Sequence, residues 1–480
     1  YWLLPLLLFT LQTVYTFYSL NQIRFEELIE SVQAPLWFRE GQVIAGTHTN
    51  IGWYAVLVAV YNIFGFSLDT PKFLVLGLWL VSLVCQAILV RRFFTPAAGT
   101  VILLTIGLSP TILFFNTQSL HLGIGLQFMP ILILLLVVID FKKRLASFFL
   151  SGLIFFLTMS VLLFYPPFMF FVPSIWWYYL IRIGFALTRF RLTLPFFYPA
   201  FNLIISITAF LLPLVLGFVY VQNREILIFD ERTGTGVFRG GGRLSFGEET
   251  FSQAWSGLVN DFFVKPVSYH FEAYKVEFSD IYPILSLLAI VYLIWRIFKT
   301  EKKSRVYIGL ACLTIVSSIG ILSVTSDYGI PGMKRSTGIL GAIYFLWILS
   351  WYYVIHGKIL RSKGKVIAGA ILSLLTVHHL IVYPINLAHL SDPSPFKDPQ
   401  WFAIEVSPQG SLDLLLTKLQ KEDVILDCRV YLADFTSCEY EFIYSALAGS
   451  CLWNKLSCRD IKAYDEDQQK FVKLEMDYFH

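Results

Sequence analysis

YSLNQIRFEELIESVQAPLWFREGQVIAGTHTNIGWY, residues Tyr18 to Tyr54, is the first substantial polar stretch of a chain that is otherwise mostly apolar. An apolar run precedes it and another follows. It opens with paired acids, Glu26 and Glu27, and continues through Arg39, Glu40 and His48. Carboxylates beside a membrane segment are costly to place, so they are candidate site residues as well as ordinary loop residues.

The chain outside this stretch sets its context. Of 480 residues, 56% are hydrophobic and 15% charged. The mean hydropathy of +0.65 lies well above that of a soluble domain. The net charge of +4 suggests no nucleic-acid partner. Apolar runs near the length of a bilayer crossing recur at 1–20, 73–90, 100–115, 122–141, 147–163, 168–183, 197–221, 281–298, 306–324, 337–355 and 366–386. The expected fold is therefore an all-α polytopic membrane protein of about 11 transmembrane helices. The first run reads as an uncleaved start-transfer helix, since no small-residue cleavage site follows it.

Basic clusters orient these spans. Arg91-Arg92, Lys142 to Arg144, Arg182 with Arg189 and Arg191, Arg296 to Arg305 and Lys358 to Lys365 fall on one side if the spans alternate. The positive-inside rule makes that side cytoplasmic, with the N-terminus inside. Loops 21–72 and 222–280 and the C-terminal tail are then extracytoplasmic. Residues 51–66, IGWYAVLVAVYNIFGF, are apolar but short. A full crossing there would move every later basic cluster outside. They are expected to form an interfacial or re-entrant helix, with a true crossing as the alternative.

The chain divides at about residue 388. Residues 1–387 form the expected transmembrane domain. DPSPFKDPQ then reads as a proline-rich linker into a small extracytoplasmic α/β domain, 388–480. In it SLDLLLTKLQKED and EYEFIYSALAG read as helices and VILDC as a short strand. Cys428, Cys438, Cys451 and Cys458 all lie in this domain, which implies one or two disulfides. Three full pairings are open. Zinc is the second reading, without a C-x-x-C pair to support it.

Several groups on the outer side can carry chemistry. Lys334 and Arg335 precede the run from 337; adjacent cations there suit a lipid phosphate or a headgroup anchor. Glu26 or Glu27 suits a general base. His48 binds an acceptor or caps the helix that follows it. Asn116 and His121, in the outer turn FFNTQSLH, serve the turn or face the same cavity. Arg243 lies in the glycine-rich segment RGGGR of loop 222–280, which matches no nucleotide-binding motif. His378-His379, within the last span, read as packed side chains. No cofactor is indicated, and no metal ligand set is assigned.

This order of features resembles the GT-C superfamily of integral-membrane glycosyltransferases, in its protein O-mannosyltransferase-like and aminoarabinose-transferase-like branch. FEELIESVQ and AGTHTNIGWYAVLVAVYNIFG follow the family's outer acidic loop and the helix ending in Phe-Gly. LSPTILFFN and MKRSTGIL are also family-like. The chain departs from the pattern in three places. Phe25 precedes Glu26-Glu27 where the family has a leading Asp. His48-Thr49 replaces a His-Pro step. Asn116 and His121 stand where an acidic residue often lies, which weakens the case for a divalent metal.

The resemblance implies transfer of a sugar from a polyprenyl-phosphate donor to an acceptor, whether glycan, lipid or protein, at the extracytoplasmic face of the cytoplasmic membrane, with inversion. Glu26 or Glu27 would be the base, and Lys334 and Arg335 would hold donor phosphate. Arg39, Glu40, His48 and Arg243 would line the cavity. A transporter or flippase of a lipid-linked glycan, or a non-catalytic membrane scaffold, would use the same cations without a base.

Overall fold

The computed structural model describes residues 3–20, 23–24, 31–32, 34–39, 51–117, 122–138, 144–164, 362–391, 401–402, 408–426, 440–465 and 470–473. The expected spans at 168–183, 197–221, 281–298, 306–324 and 337–355 lie outside these residues. The described residues are mostly helical.

The first helix, α1 (Leu4–Ser19), starts with a proline in its first turn, where no N–H is needed. Its hydroxyls are satisfied inside the helix. Thr10, Thr13 and Thr16 donate to the carbonyls of Leu6, Phe9 and Gln12 at 2.9, 2.7 and 2.9 Å. That back-bonding lets polar residues sit in an apolar surrounding. After α1 come a two-residue strand, β1 (Ile23–Arg24), the short α2 (Ala34–Arg39) and α3 (Ile51–Phe64). Then follow α4 (Thr70–Phe93), α5 (Pro96–Gly107), α6 (Pro110–Thr117), α7 (Leu122–Val138), α8 (Arg144–Phe164) and α9 (Ser362–Ser391).

Two stretches within these helices, Thr70–Arg92 in α4 and Gly364–Ile385 in α9, are long and apolar enough to cross a membrane, with 23 and 22 residues. Both fit a membrane protein. On α9 the exposed residues Val366, Ile367, Ile371, Leu374, Val377 and Ile381 recur at helical spacing. The opposite stripe, Ala368, Leu372, Leu375, Thr376, His379 and Val382, is buried. The outward face is thus largely apolar, while Thr376 and His379 lie on the buried face, an arrangement that suits lipid.

One expected span is corrected. Residues 100–115 are not one helix but the end of α5 and most of α6, divided at Leu108 and Ser109. Pro110 is the cause. It has no N–H to give the Ile106 carbonyl, and its ring clashes with a continuing helix. That carbonyl instead accepts from Ser109 N at 3.2 Å, and Ser109 O accepts from Leu113 N at 3.0 Å to start α6. The helix then runs through Asn116 and Thr117, so the expected turn at 116–121 is shorter than the sequence reading drew it.

The C-terminal part holds β2 (Trp401–Phe402), α10 (Pro408–Leu419), β3 (Val424–Leu426), α11 (Tyr440–Trp453), β4 (Ile461–Asp465) and β5 (Lys470–Lys473). The last three strands form a sheet in the order β3-β4-β5, with β3 parallel and β5 antiparallel to β4. Leu412 and Leu419 of α10 and Leu447 and Ala448 of α11 are buried, and the two helices pack together. Lys462 and Asp423 pair at 2.8 Å across the β3–β4 edge.

This part is joined to the first hundred residues at several points. β1 pairs antiparallel with β2, with Ile23 opposite Phe402 and Arg24 opposite Trp401. Farther along, Phe66 N donates to Asn454 Oδ1 at 2.9 Å.

Candidate functional site

The geometry begins with a buried lysine. Lys72 sits in the first turn of α4 and is 2% exposed. Its Nζ donates to the carbonyl of Ser19, the last residue of α1, at 2.7 Å. A cation there satisfies an orphan carbonyl and complements the negative end of the helix dipole. The contact brings the end of α1 and the start of α4 together.

Asp69 lies just outside the membrane-type segment of α4. Burial pushes its carboxyl above the usual carboxylate range, the charge of Lys72 pulls it down, and Asp413 on α10 pushes it up again. Asp413 therefore approaches the Ser19 end of the bundle from the C-terminal part. Sequence reading missed this cluster. The signal was present in SLDTPKF: two ionisable residues immediately before a long apolar run.

The described residues that follow the acidic stretch, 31–32 and 34–39, are held by α3 and α11. Ser31 O accepts from the Tyr61 hydroxyl at 2.8 Å. Val32, Ala34 and Leu36 are buried. Gly449 lets α11 approach them closely, since a Cβ there would come within 3.2 Å of Leu36 and 3.7 Å of Val32. Arg39, in the last turn of α2, places its guanidinium carbon 4.4 Å from the ring centre of Trp453. Trp453 in turn packs on Tyr61, with ring centres 5.6 Å apart.

Asn116 is fully buried. Gln127 of α7 donates to Asn116 Oδ1 and to the Val75 carbonyl, each at 3.0 Å, tying α4, α6 and α7 together. Gln12 of α1 reaches the Leu113 carbonyl at 3.4 Å. His379 approaches the Thr105 carbonyl with Nδ1 at 2.9 Å and is buried, as a packed histidine should be.

Cys451 and Cys458 form a disulfide. Of the three full pairings of four cysteines, this bond leaves only the one that joins Cys428 to Cys438. Those two cysteines lie outside the described residues, as do Glu26, Glu27, Glu40, His48, His121, Arg243, Lys334 and Arg335. Among the described residues no three of His, Cys, Asp and Glu converge as a metal site would require.

No family model matches the chain. No curated protein matches it. Among solved structures it is similar to the Archaeoglobus fulgidus oligosaccharyltransferase in complex with Zn and sulfate, with a TM-score of 0.43 and 12% identity over 86% of this chain and 55% of that one. It is also similar to the same organism's enzyme tethered through a disulfide to an acceptor peptide containing the NVT sequon. There the TM-score is 0.42 and the identity 12%, over 86% of this chain and 57% of that one. The chain thus spans little more than half the length of these structures.

Proposed function

We propose that the chain is a multi-spanning membrane glycosyltransferase of GT-C type, moving a sugar from a polyprenyl-phosphate donor to an acceptor at the extracytoplasmic face. The observation that carries this reading is the Lys72–Ser19 contact at 2.7 Å. It joins the end of α1, before the acidic stretch, to the start of α4, after it, through the buried cation Lys72. Strand pairing of Ile23 and Arg24 with Phe402 and Trp401 joins the C-terminal part to that stretch. A lipid-anchored donor reaches such a site laterally from the bilayer, so no nucleotide-binding domain is required.

In the proposed reaction an acceptor hydroxyl or amine attacks the anomeric carbon of the donor sugar. The bond from that carbon to the phosphate oxygen breaks, and the lipid phosphate leaves with the bonding pair. Glu26 or Glu27 takes the acceptor proton, a role worth roughly 10²–10⁴-fold in rate. Lys334 and Arg335 neutralise the departing phosphate, with Arg39 as a further cation. Attack opposite the leaving group inverts the anomeric centre. Glu40, His48 and Arg243 are proposed to line the cavity.

The test is transfer of labelled sugar from a series of polyprenyl-phosphate donors by the purified full chain, with Glu26→Gln, Glu27→Gln and Lys334→Ala/Arg335→Ala alongside. Loss of turnover in one glutamate variant with donor binding retained identifies the base. Donor binding without turnover for every donor overturns the enzyme reading and favours a carrier of lipid-linked glycans. The buried polar residues Gln12, Gln86, Asn116 and Gln127 would serve such a carrier.

A further inference from the structure

We propose that Trp453 is a positioning residue for Arg39, and that the Cys451–Cys458 disulfide keeps Trp453 in place. The role given to Arg39, gripping an anionic group of the donor, rests on the glycosyltransferase reading. The positioning itself does not.

Arg39 is an exposed side chain at the end of a short helix, Ala34–Arg39. An exposed arginine side chain has many rotamers, and ordering it costs roughly 2 kcal/mol of side-chain entropy. The Trp453 ring, 4.4 Å from the guanidinium carbon, contributes to that order. Trp453 is only 5% exposed and has packing partners besides Arg39. Tyr61 packs on it from α3. The next residue, Asn454, accepts from Phe66 N at 2.9 Å. Lys455 then takes a left-handed backbone with φ of 53°. Leu456 N donates to the Cys451 carbonyl at 2.9 Å, and the disulfide closes the turn seven residues after Cys451. A covalent loop thus holds the tryptophan against the segment that bears Arg39.

The stacking geometry suits anion recognition. A guanidinium lying over an aromatic face uses its π surface there and keeps its N–H donors in its own plane, around the edge. Those donors match two oxygens of a phosphate side by side. Trp453 therefore fixes where an anion is gripped without using the groups that grip it. A surface lysine in place of Arg39 would lack both the face and the fork.

The experiment follows tryptic cleavage of the Arg39–Glu40 bond in the purified full chain by mass spectrometry, relative to cleavage after the exposed Lys421. Trp453→Ala should speed cleavage after Arg39 by about 3- to 30-fold, the range expected for loss of one cation–π contact. Trp453→Phe keeps an aromatic face and should stay within about threefold of the wild-type rate. Reducing the disulfide in the wild-type chain should reproduce the effect of Trp453→Ala. This arm holds even where Trp453→Ala fails to fold. With a polyprenyl-phosphate sugar as substrate, Trp453→Ala should raise the donor KM and leave kcat within about twofold, the pattern of lost binding. Unchanged cleavage after reduction, or equal acceleration by Trp453→Phe and Trp453→Ala, overturns the proposal. A wild-type chain that turns over no donor overturns the glycosyltransferase reading instead, and the cleavage rates still decide the positioning.

Discussion

The backbone N–H of Phe66 donates to the side chain of Asn454 at 2.9 Å, across 388 positions of sequence. The preceding residue, Gly65, has a left-handed φ of +84°. A Cβ at that position would come 2.6 Å from Asn454 Oδ1. The turn that ends α3 and the loop that ends α11 therefore fit only because one has no side chain and the other has an amide.

This relationship makes a double-mutant cycle informative. Asn454→Ala should destabilise the protein by about 1 kcal/mol, the net worth of one hydrogen bond. Gly65→Ala should cost at least as much, from backbone strain and the clash together. The pair should cost less than the sum, because removing the amide removes the clash. Thermal unfolding of the detergent-solubilised protein measures all three. Strict additivity would show that the two residues do not meet.

Gly107 is the close-packing point between α5 and α1. A Cβ there would meet both Leu8 methyl carbons at 2.8 Å. Gly107→Ala should destabilise by about 1–3 kcal/mol through overpacking. Gly77 and Gly369 lie in helices with nothing within 4 Å of a Cβ. Alanine at either should be neutral or stabilise by up to about 1 kcal/mol through helix propensity. The same thermal assay ranks all three, and equal effects would count against the packing of α1 on α5.

Gln127 holds three helices, so its loss orphans more than itself. Gln127→Leu leaves Asn116 Oδ1 and the Val75 carbonyl without that donor. The Val75 carbonyl keeps its helical partner, so a cost of about 1–3 kcal/mol is expected from the stranded Asn116 amide oxygen. Adding Asn116→Leu should recover part of the loss, since two apolar groups can pack where one stranded amide cannot. A lower melting temperature in the double variant than in Gln127→Leu would contradict this.

Asp69 and Asp423 should respond to acid with opposite sign. The Lys462 side chain, bonded to Asp423, holds that carboxyl below the ordinary range. Its stabilising contribution is present above the unfolded-state value, about 4, and is lost as pH falls through the lowered folded value. Asp69 is raised, chiefly by burial. Its contribution is present below the unfolded value and is lost as pH rises through the raised folded value. On acidification from about pH 5 to about pH 3, spanning the ordinary carboxyl value, Asp423→Asn should therefore lose less stability than wild type, and Asp69→Asn more. Melting temperatures at both pH values test the two signs.

The helices were legible because their signals are local. Pro5, Pro71 and Pro96 mark helix starts, and SLDLLLTKLQ and EYEFIYSALAG carry helical spacing that α10 and α11 follow. The division at Ser109-Pro110 was also written in the chain, though a long apolar average hid it. Strands β4 and β5 were not foreseen. IKAYD and KFVK are short and charged, and they become strands only by pairing with each other and with β3.

Composition and apolar run length alone determined that this chain builds apolar helices of bilayer length, because helix formation and lipid solvation act on neighbouring residues. Which face of each helix turns inward was not readable, since nearly every position is apolar and periodicity carries no contrast. The tertiary structure alone decided that Lys72 lies under Ser19 and that Arg39 lies on Trp453. It also decided that Cys451 joins Cys458 and that Asn454 closes the turn after α3. Such contacts depend on how the helices pack and how the C-terminal part docks, and no local rule of sequence records that.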